Sequence, residues 1–249
     1  MLMSDKEQFE QGKSEVYQTA HYVFHYSAGG LVEKDIEWIA ETQERAFAKI
    51  IGALNITYPE RVHYYFSDSP KEVGNVIFDG IPCNGCAICE EKKIYAVYNE
   101  EIKCIGPHED THVISYLINF PESDFIVEGL AVYFDEVWWG VPNEVWTAYY
   151  KAKQPDLSVK CLLDNDAFAE YNCAITYPIA GAFTKFLIDT YGMERYLELY
   201  RYEGSGYEEI VQSVYKSSLP ELEKSFWEKM SEIAFEAQVL EEMLKKEGI

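Results

Sequence analysis

The sequence predicts an α+β fold: a mixed α/β half with a small sheet, followed by a half that is almost entirely helical. Three observations carry this. The runs read as strands, aromatic and β-branched, lie before residue 100, at 20–26, 61–66 and 94–98. Between the first two lies a long stretch with apolar residues every third or fourth position. After residue 106 nearly every segment carries that helical spacing, with no strand run between.

Taken in order, residues 1–18 are polar and read as a frayed or loosely docked lead-in. Ala20–Tyr26 is a strand that ends at Gly29-Gly30. From Asp35 a helix is expected, with Ile36, Ile39, Ala40, Phe47, Ile50, Ile51 and Leu54 on its buried face, until Tyr58-Pro59 breaks the pattern. Arg61–Phe66 is a second strand, closed by Ser67-Asp68-Ser69-Pro70. A short helix over 70–78 and a turn at Asp79-Gly80 follow, and Ile94–Tyr98 is the third strand. Gly106-Pro107 suits a helix start, because proline at the first helical position loses no intrahelical hydrogen bond. Val113, Ile114, Leu117 and Ile118 give that helix its apolar stripe. Further helices are expected over 124–138, 142–152, 176–190, 193–202, 207–216 and 220–246, the last running from Pro220-Glu221 to Lys245-Lys246 in keeping with the helix dipole. The division expected is 1–105 and 106–249, one catalytic unit with its site at the junction.

Composition bounds the function. The 249 residues are 48% apolar and 15% aromatic, enough for a sizeable core. Lys and Arg number 21 against 43 Asp and Glu, a formal net charge of −22 that repels nucleic-acid backbones and anionic membranes. No apolar run is long enough to span a membrane, and Met1-Leu2-Met3-Ser4-Asp5-Lys6-Glu7 has no apolar signal core, so a cytoplasmic location is expected. The six cysteines do not make a dense disulfide framework, and reduced thiols are the default.

The chemistry-bearing stretch is His108-Glu109-Asp110-Thr111-His112, followed sixteen positions after His112 by Glu128. On a helix, histidines four apart project from one face and can share a Zn²⁺. Glu109, beside the first ligand, can take a proton from an activated water. Catalytic zinc needs three protein ligands and one open position; Glu128 fits the third place, with Asp124, Asp135 and Glu136 competing for it. The bland alternative is a surface helix that happens to carry two histidines.

Pro82-Cys83-Asn84-Gly85-Cys86-Ala87-Ile88-Cys89, with Cys104, is the other unusual stretch. Its readings are free thiols, a disulfide or redox group, and a second metal held by Cys83, Cys86, Cys89 and Cys104. A deaminase reading of Pro-Cys-x-x-Cys fails, since no His-x-Glu lies upstream.

His-Glu-x-x-His followed by Glu128-Gly129-Leu130-Ala131-Val132-Tyr133 resembles the gluzincin metallopeptidases, specifically the peptidase-MA-like branch with a thermolysin-type catalytic domain. Tyr177–Gly192 is similar to that family's helix ending in Tyr-Gly, and Ser218–Trp227 to its closing helix. The resemblance covers about residues 60–235 and implies a zincin-like fold and a zinc-dependent peptidase acting on peptides or proteins. It also implies that His108, His112 and Glu128 hold zinc and that Glu109 serves as general base, then general acid. Tyr177 is implied as donor to the tetrahedral oxyanion, with Tyr171, Tyr133 and Tyr116 as rivals, and strand 94–98 resembles the family's substrate-pairing edge strand. Phe125-Ile126-Val127 stands where the family usually carries a Trp, the spacer before Glu128 is short, and no Gly-x-Met-Glu-Asn stretch precedes the motif. No histidine follows Glu128, which excludes a third-histidine site. A catalytically silent peptide- or metal-binding protein on the same scaffold is the alternative function.

Overall fold

The computed structural model describes residues 4–77, 80–204 and 206–249. Two compact units follow one another along the chain, Met1–Leu117 and Ile118–Ile249, and the secondary structure is α+β as expected.

The first unit is built on a five-stranded mixed sheet: β1 (Glu15–Gln18), β2 (Tyr22–Tyr26), β3 (Val62–Ser67), β4 (Gly85–Ile88) and β5 (Lys93–Val97), in the order β1-β2-β3-β5-β4. β2, β3 and β5 run parallel in the middle, while β1 and β4 are antiparallel edges. The middle strands bury both faces, which is why they read as aromatic runs with little polar alternation. On one face Tyr22, Phe24, Tyr64 and Phe66 form a ladder of rings, and Phe47 of α2 (Leu31–Leu54) meets Tyr22 edge-on at 5.9 Å. On the other, Tyr65, Val73, Cys86, Tyr95 and Val97 form a cluster closed by residues of α1 (Asp5–Gln11) and α3 (Pro70–Ile77). α4 (Pro107–Ser115) packs against α2, β4 and β5 and so belongs to this unit, whereas the division at 105/106 grouped it with the later helices.

Two stretches here depart from expectation. The lead-in is ordered: Ser4 and Glu7 form a reciprocal capping box, Phe9 packs on Tyr95, and Lys6 pairs with Glu91 at 2.6 Å. β4 is the second. Gly85-Cys86-Ala87-Ile88 is poor in strand formers, and only its pairing with β5 makes it a strand. The consequence is a correction: strand 94–98 was expected at the edge, but β5 is interior and β4 is the edge strand. Phe78 and Asp79, and with them the end of the expected 70–78 helix and the Asp79-Gly80 turn, lie outside the described residues.

The second unit consists of α5 (Asp124–Asp135), a hairpin of β6 (Val137–Trp138) and β7 (Val141–Pro142), α6 (Asn143–Lys153), α7 (Val159–Leu162), α8 (Asn165–Glu170), α9 (Cys173–Tyr191), α10 (Met193–Tyr200), α11 (Tyr207–Tyr215), α12 (Leu219–Ser231) and α13 (Ala237–Lys246). α5 and α9 approach closely because each presents a glycine: a Cβ on Gly129 would stand 2.6 Å from Thr184 Oγ1, and one on Gly181 2.5 Å from Val132 Cγ1. α5 stops earlier than its pattern suggests, since Glu136 turns to φ 66° and Trp139-Gly140, both at positive φ, form the two-residue turn of the hairpin. The expected helix over 220–246 is two helices. The chain leaves α12 at Glu232, Phe235 packs edge-on against Tyr149 at 5.8 Å, and α13 buries Leu240. No glycine or proline marks that break, so it follows from packing. Among the described residues no helix is long and apolar enough to cross a membrane.

Candidate metal centre

α4 begins at Gly106 with φ 123° and ψ −164°, a conformation closed to other residues, and Pro107 is its first helical residue. Asp110, Thr111, Val113, Ile114 and Ser115 are buried, while His108, Glu109 and His112 are only partly buried. The helix therefore buries the side carrying Asp110, Val113 and Ile114 and leaves the histidine side the more open. The two imidazoles lie 5.0 Å apart between centroids at 82°, as expected for an i, i+4 pair.

The start of α4 is tied to the sheet and α2 through one buried network. Gln43 Nε2 donates to Gly106 O at 3.0 Å and to Asp110 Oδ2 at 2.9 Å, and Gln43 Oε1 accepts from Gly106 N at 2.7 Å. Tyr22 OH donates to the same Asp110 oxygen at 2.5 Å. Burial holds the Asp110 carboxyl well above the usual carboxylate range, with hydrogen bonds from Tyr22 and Gln43 opposing that shift and the Glu109 charge adding to it. Burial likewise keeps the Tyr22 phenol protonated.

Glu128 is the partly buried residue in a run of buried neighbours, Phe125–Val127 and Gly129–Val132. Its charge is felt one turn back by Asp124 and on α9 by Cys173; both groups titrate above their ordinary values, chiefly because of burial and then because of Glu128. His108, His112 and Glu128 each offer one ligand atom, and these atoms lie within 4.8 Å of one another. Ligands ~2.0–2.2 Å from a tetrahedral metal stand ~3.4 Å apart, a separation of the same order as that of these atoms. Two neutral imidazoles and a carboxylate are a donor set suited to a divalent transition metal with an open fourth position. Of the four acidic residues considered for third ligand, Glu128 joins the histidines; Asp124, Asp135 and Glu136 are not in this group.

Glu109 lies against the edge strand. A Cβ added to Gly85 of β4 would stand 2.8 Å from Glu109 Oε1 and 2.4 Å from Cys104 Sγ. The carboxylate thus occupies a slot that exists because position 85 has no side chain.

The cysteines do not assemble as a second metal centre. Cys83, Cys86, Cys89 and Cys104 are not among the described groups of three or more ligands within metal-sharing distance. Only Cys86 lies on β4; Cys83 precedes the strand and Cys89 follows it. Cys86 faces the sheet core, and Cys83 packs against the same cluster with its thiol donating to Gly85 O at 2.7 Å. Burial, assisted by the Glu109 charge, pushes the Cys86 thiol far up and the Cys89 thiol to about 11, so neither supplies a thiolate near neutral pH. None of the six cysteines is in a disulfide.

Tyr177 lies on α9, edge-on to Trp138 at 5.5 Å and stacked on Phe168 at 6.1 Å. Of its rivals, Tyr116 reaches Glu90 at 3.4 Å, Tyr133 packs on Phe134, and Tyr171 is exposed. Gln43, Tyr22 and Gly85 went unnoticed in the sequence. The signal for Gln43 was available: it is an amide inside the stripe Ile36, Ile39, Ala40, Phe47, Ile50 at helical spacing. Neither the protein-family models nor the curated proteins compared with this chain match it.

Proposed function

We propose that the protein is a zinc-dependent peptidase of gluzincin type, with a zincin-like catalytic fold, in which His108, His112 and Glu128 hold the metal. The observation that carries the reading is the convergence of two imidazole nitrogens and a carboxylate oxygen within 4.8 Å, with Glu109 adjacent to the first ligand on the same helix. Bound zinc would supply Lewis acidity, lowering the pKa of water and polarising the scissile carbonyl.

The chain's own residues do the rest. Glu109 takes a proton from water and delivers it to the leaving amine, first base and then acid. Its carboxylate lies against Gly85 of the edge strand, in space that any side chain at that position would fill. The substrate backbone pairs with the open side of β4, and Tyr177 donates to the oxygen on which negative charge develops. The location proposed is the cytoplasm, where cysteines outside disulfides are the default. The net charge of −22 favours peptides that are not themselves strongly acidic.

Glu109→Gln is the decisive variant. It is expected to bind zinc as wild type does and to lose ~10²–10⁴-fold in peptide hydrolysis, measured on a peptide library with and without a chelator. Unchanged turnover would sink the mechanism, and hydrolysis indifferent to chelation would sink the metal.

A further inference from the structure

The residue that sets the direction of the metal helix lies outside the motif. We propose that Gln43 of α2 is a positioning residue for His108 and Glu109, acting as a two-sided clamp on Gly106. The inference rests on the metal-binding reading above.

The start of α4 lacks the usual support. Gly106, its N-cap, has no side chain to accept from the first-turn amides, and its φ of 123° gives the chain no intrinsic preference for this entry angle over others open to glycine. Gln43 supplies the missing restraint. Its carboxamide accepts from Gly106 N at 2.7 Å and donates to Gly106 O at 3.0 Å, gripping both polar atoms of the same residue. The same NH₂ group reaches Asp110 Oδ2 at 2.9 Å and Tyr64 OH at 3.2 Å. Gln43 is fully buried, so none of these bonds has water as a substitute.

The geometry also fixes rotation. At ~100° per residue, Asp110 lies ~200° around the helix from His108 and again from His112, on the side opposite the histidines. Holding Asp110 from behind, through Gln43 and Tyr22, therefore turns both imidazoles toward the open side. Gly106 stands two residues before His108, so a loosened clamp frays the turn carrying His108 and Glu109 before it reaches His112.

The test uses the full chain as wild type, Gln43→Leu and Gly106→Ala, measuring zinc affinity by chelator competition, metal-free Tm, and amide exchange. A Cβ on Gly106 meets open space, so that variant perturbs the backbone conformation alone and carries the test by itself should Gln43→Leu fail to fold. The expected result is a ~10–100-fold loss of zinc affinity in each folded variant, the range typical of residues that orient ligands. Amides over 110–112, the first with carbonyl acceptors inside the helix, should exchange faster while those of β2 and β3 keep wild-type rates. Zinc affinity within about twofold of wild type in a folded variant overturns the proposal. So does faster exchange spread evenly over the first unit, which is the signature of a general loss of stability. Wild type that binds no zinc refutes the metal reading instead, and the exchange pattern then decides the clamp alone.

Discussion

Gly85→Ala separates the stability of the edge strand from the placement of the proposed general base. The added methyl would stand 2.4 Å from Cys104 Sγ and 2.8 Å from Glu109 Oε1, where ordinary contact begins at 3.4 Å. Both obstacles are side-chain ends, so the conflict is relieved by moving the thiol and the carboxylate, with β4 left in register against β5. Overpacking of this kind costs ~1 kcal/mol, and replacing glycine in a strand returns ~0.4–1 kcal/mol by restricting the unfolded chain. Net stability should barely change. Catalysis should not escape, because a displacement of the base approaching ~1 Å costs on the order of 100-fold in rate, or about 2.7 kcal/mol of activation free energy. The assay is kcat for peptide hydrolysis alongside zinc content and Tm. Adding Cys104→Ala opens room on the thiol side and should recover part of the loss. A wild-type kcat in Gly85→Ala, or a loss accompanied by missing zinc or a fall of many degrees in Tm, would refute the reasoning.

Three further outcomes are expected. His25 and His63 stand 3.0 Å apart on β2 and β3, with Lys93 of β5 and Glu10 of α1 nearby; burial and the His63 neighbour lower His25 from 6.5 to about 4, and burial lowers His63 as well. The unfolded chain therefore binds more protons below pH 6.5, so stability present above that pH is lost as pH falls toward 4, and urea midpoints should show this slope in wild type but a weaker one in His25→Gln. Gly129→Ala places a Cβ 3.0 Å from the backbone oxygen of Ala180, which cannot rotate away, so a destabilisation of ~1–3 kcal/mol is expected by denaturant titration; an unchanged midpoint would mean that α5 and α9 are not held at this distance. Replacing Cys83, Cys89 and Cys104 with serine should leave zinc stoichiometry at the wild-type value by elemental analysis, whereas a lower value would restore a thiol-held metal.

Much of the fold was legible because local physics decides it. The aromatic runs that became β2, β3 and β5 bury both faces whatever covers them, and the spacing of Ile36 to Leu54 commits α2 to one buried side. The elements that escaped notice depend on distant partners. β1 and β4 are short edge strands made by pairing, α1 is held by Tyr95 and Glu91, and the break after α12 answers to Tyr149 on α6.

The candidate site divides the same way. The sequence by itself determined the donor types and the i, i+4 geometry of His108 and His112, because helical periodicity places them on one face wherever the helix goes. It could not choose Glu128 over Asp124, Asp135 or Glu136, since helix phase across a break is a tertiary quantity. Nor could it show that β4 is the edge strand, that Gly85 makes room for Glu109, or that Gln43 holds Gly106 from sixty-three positions away. Those depend on atoms brought together across long chain separations, where register and packing decide which neighbour a residue has, and local propensity does not carry that information.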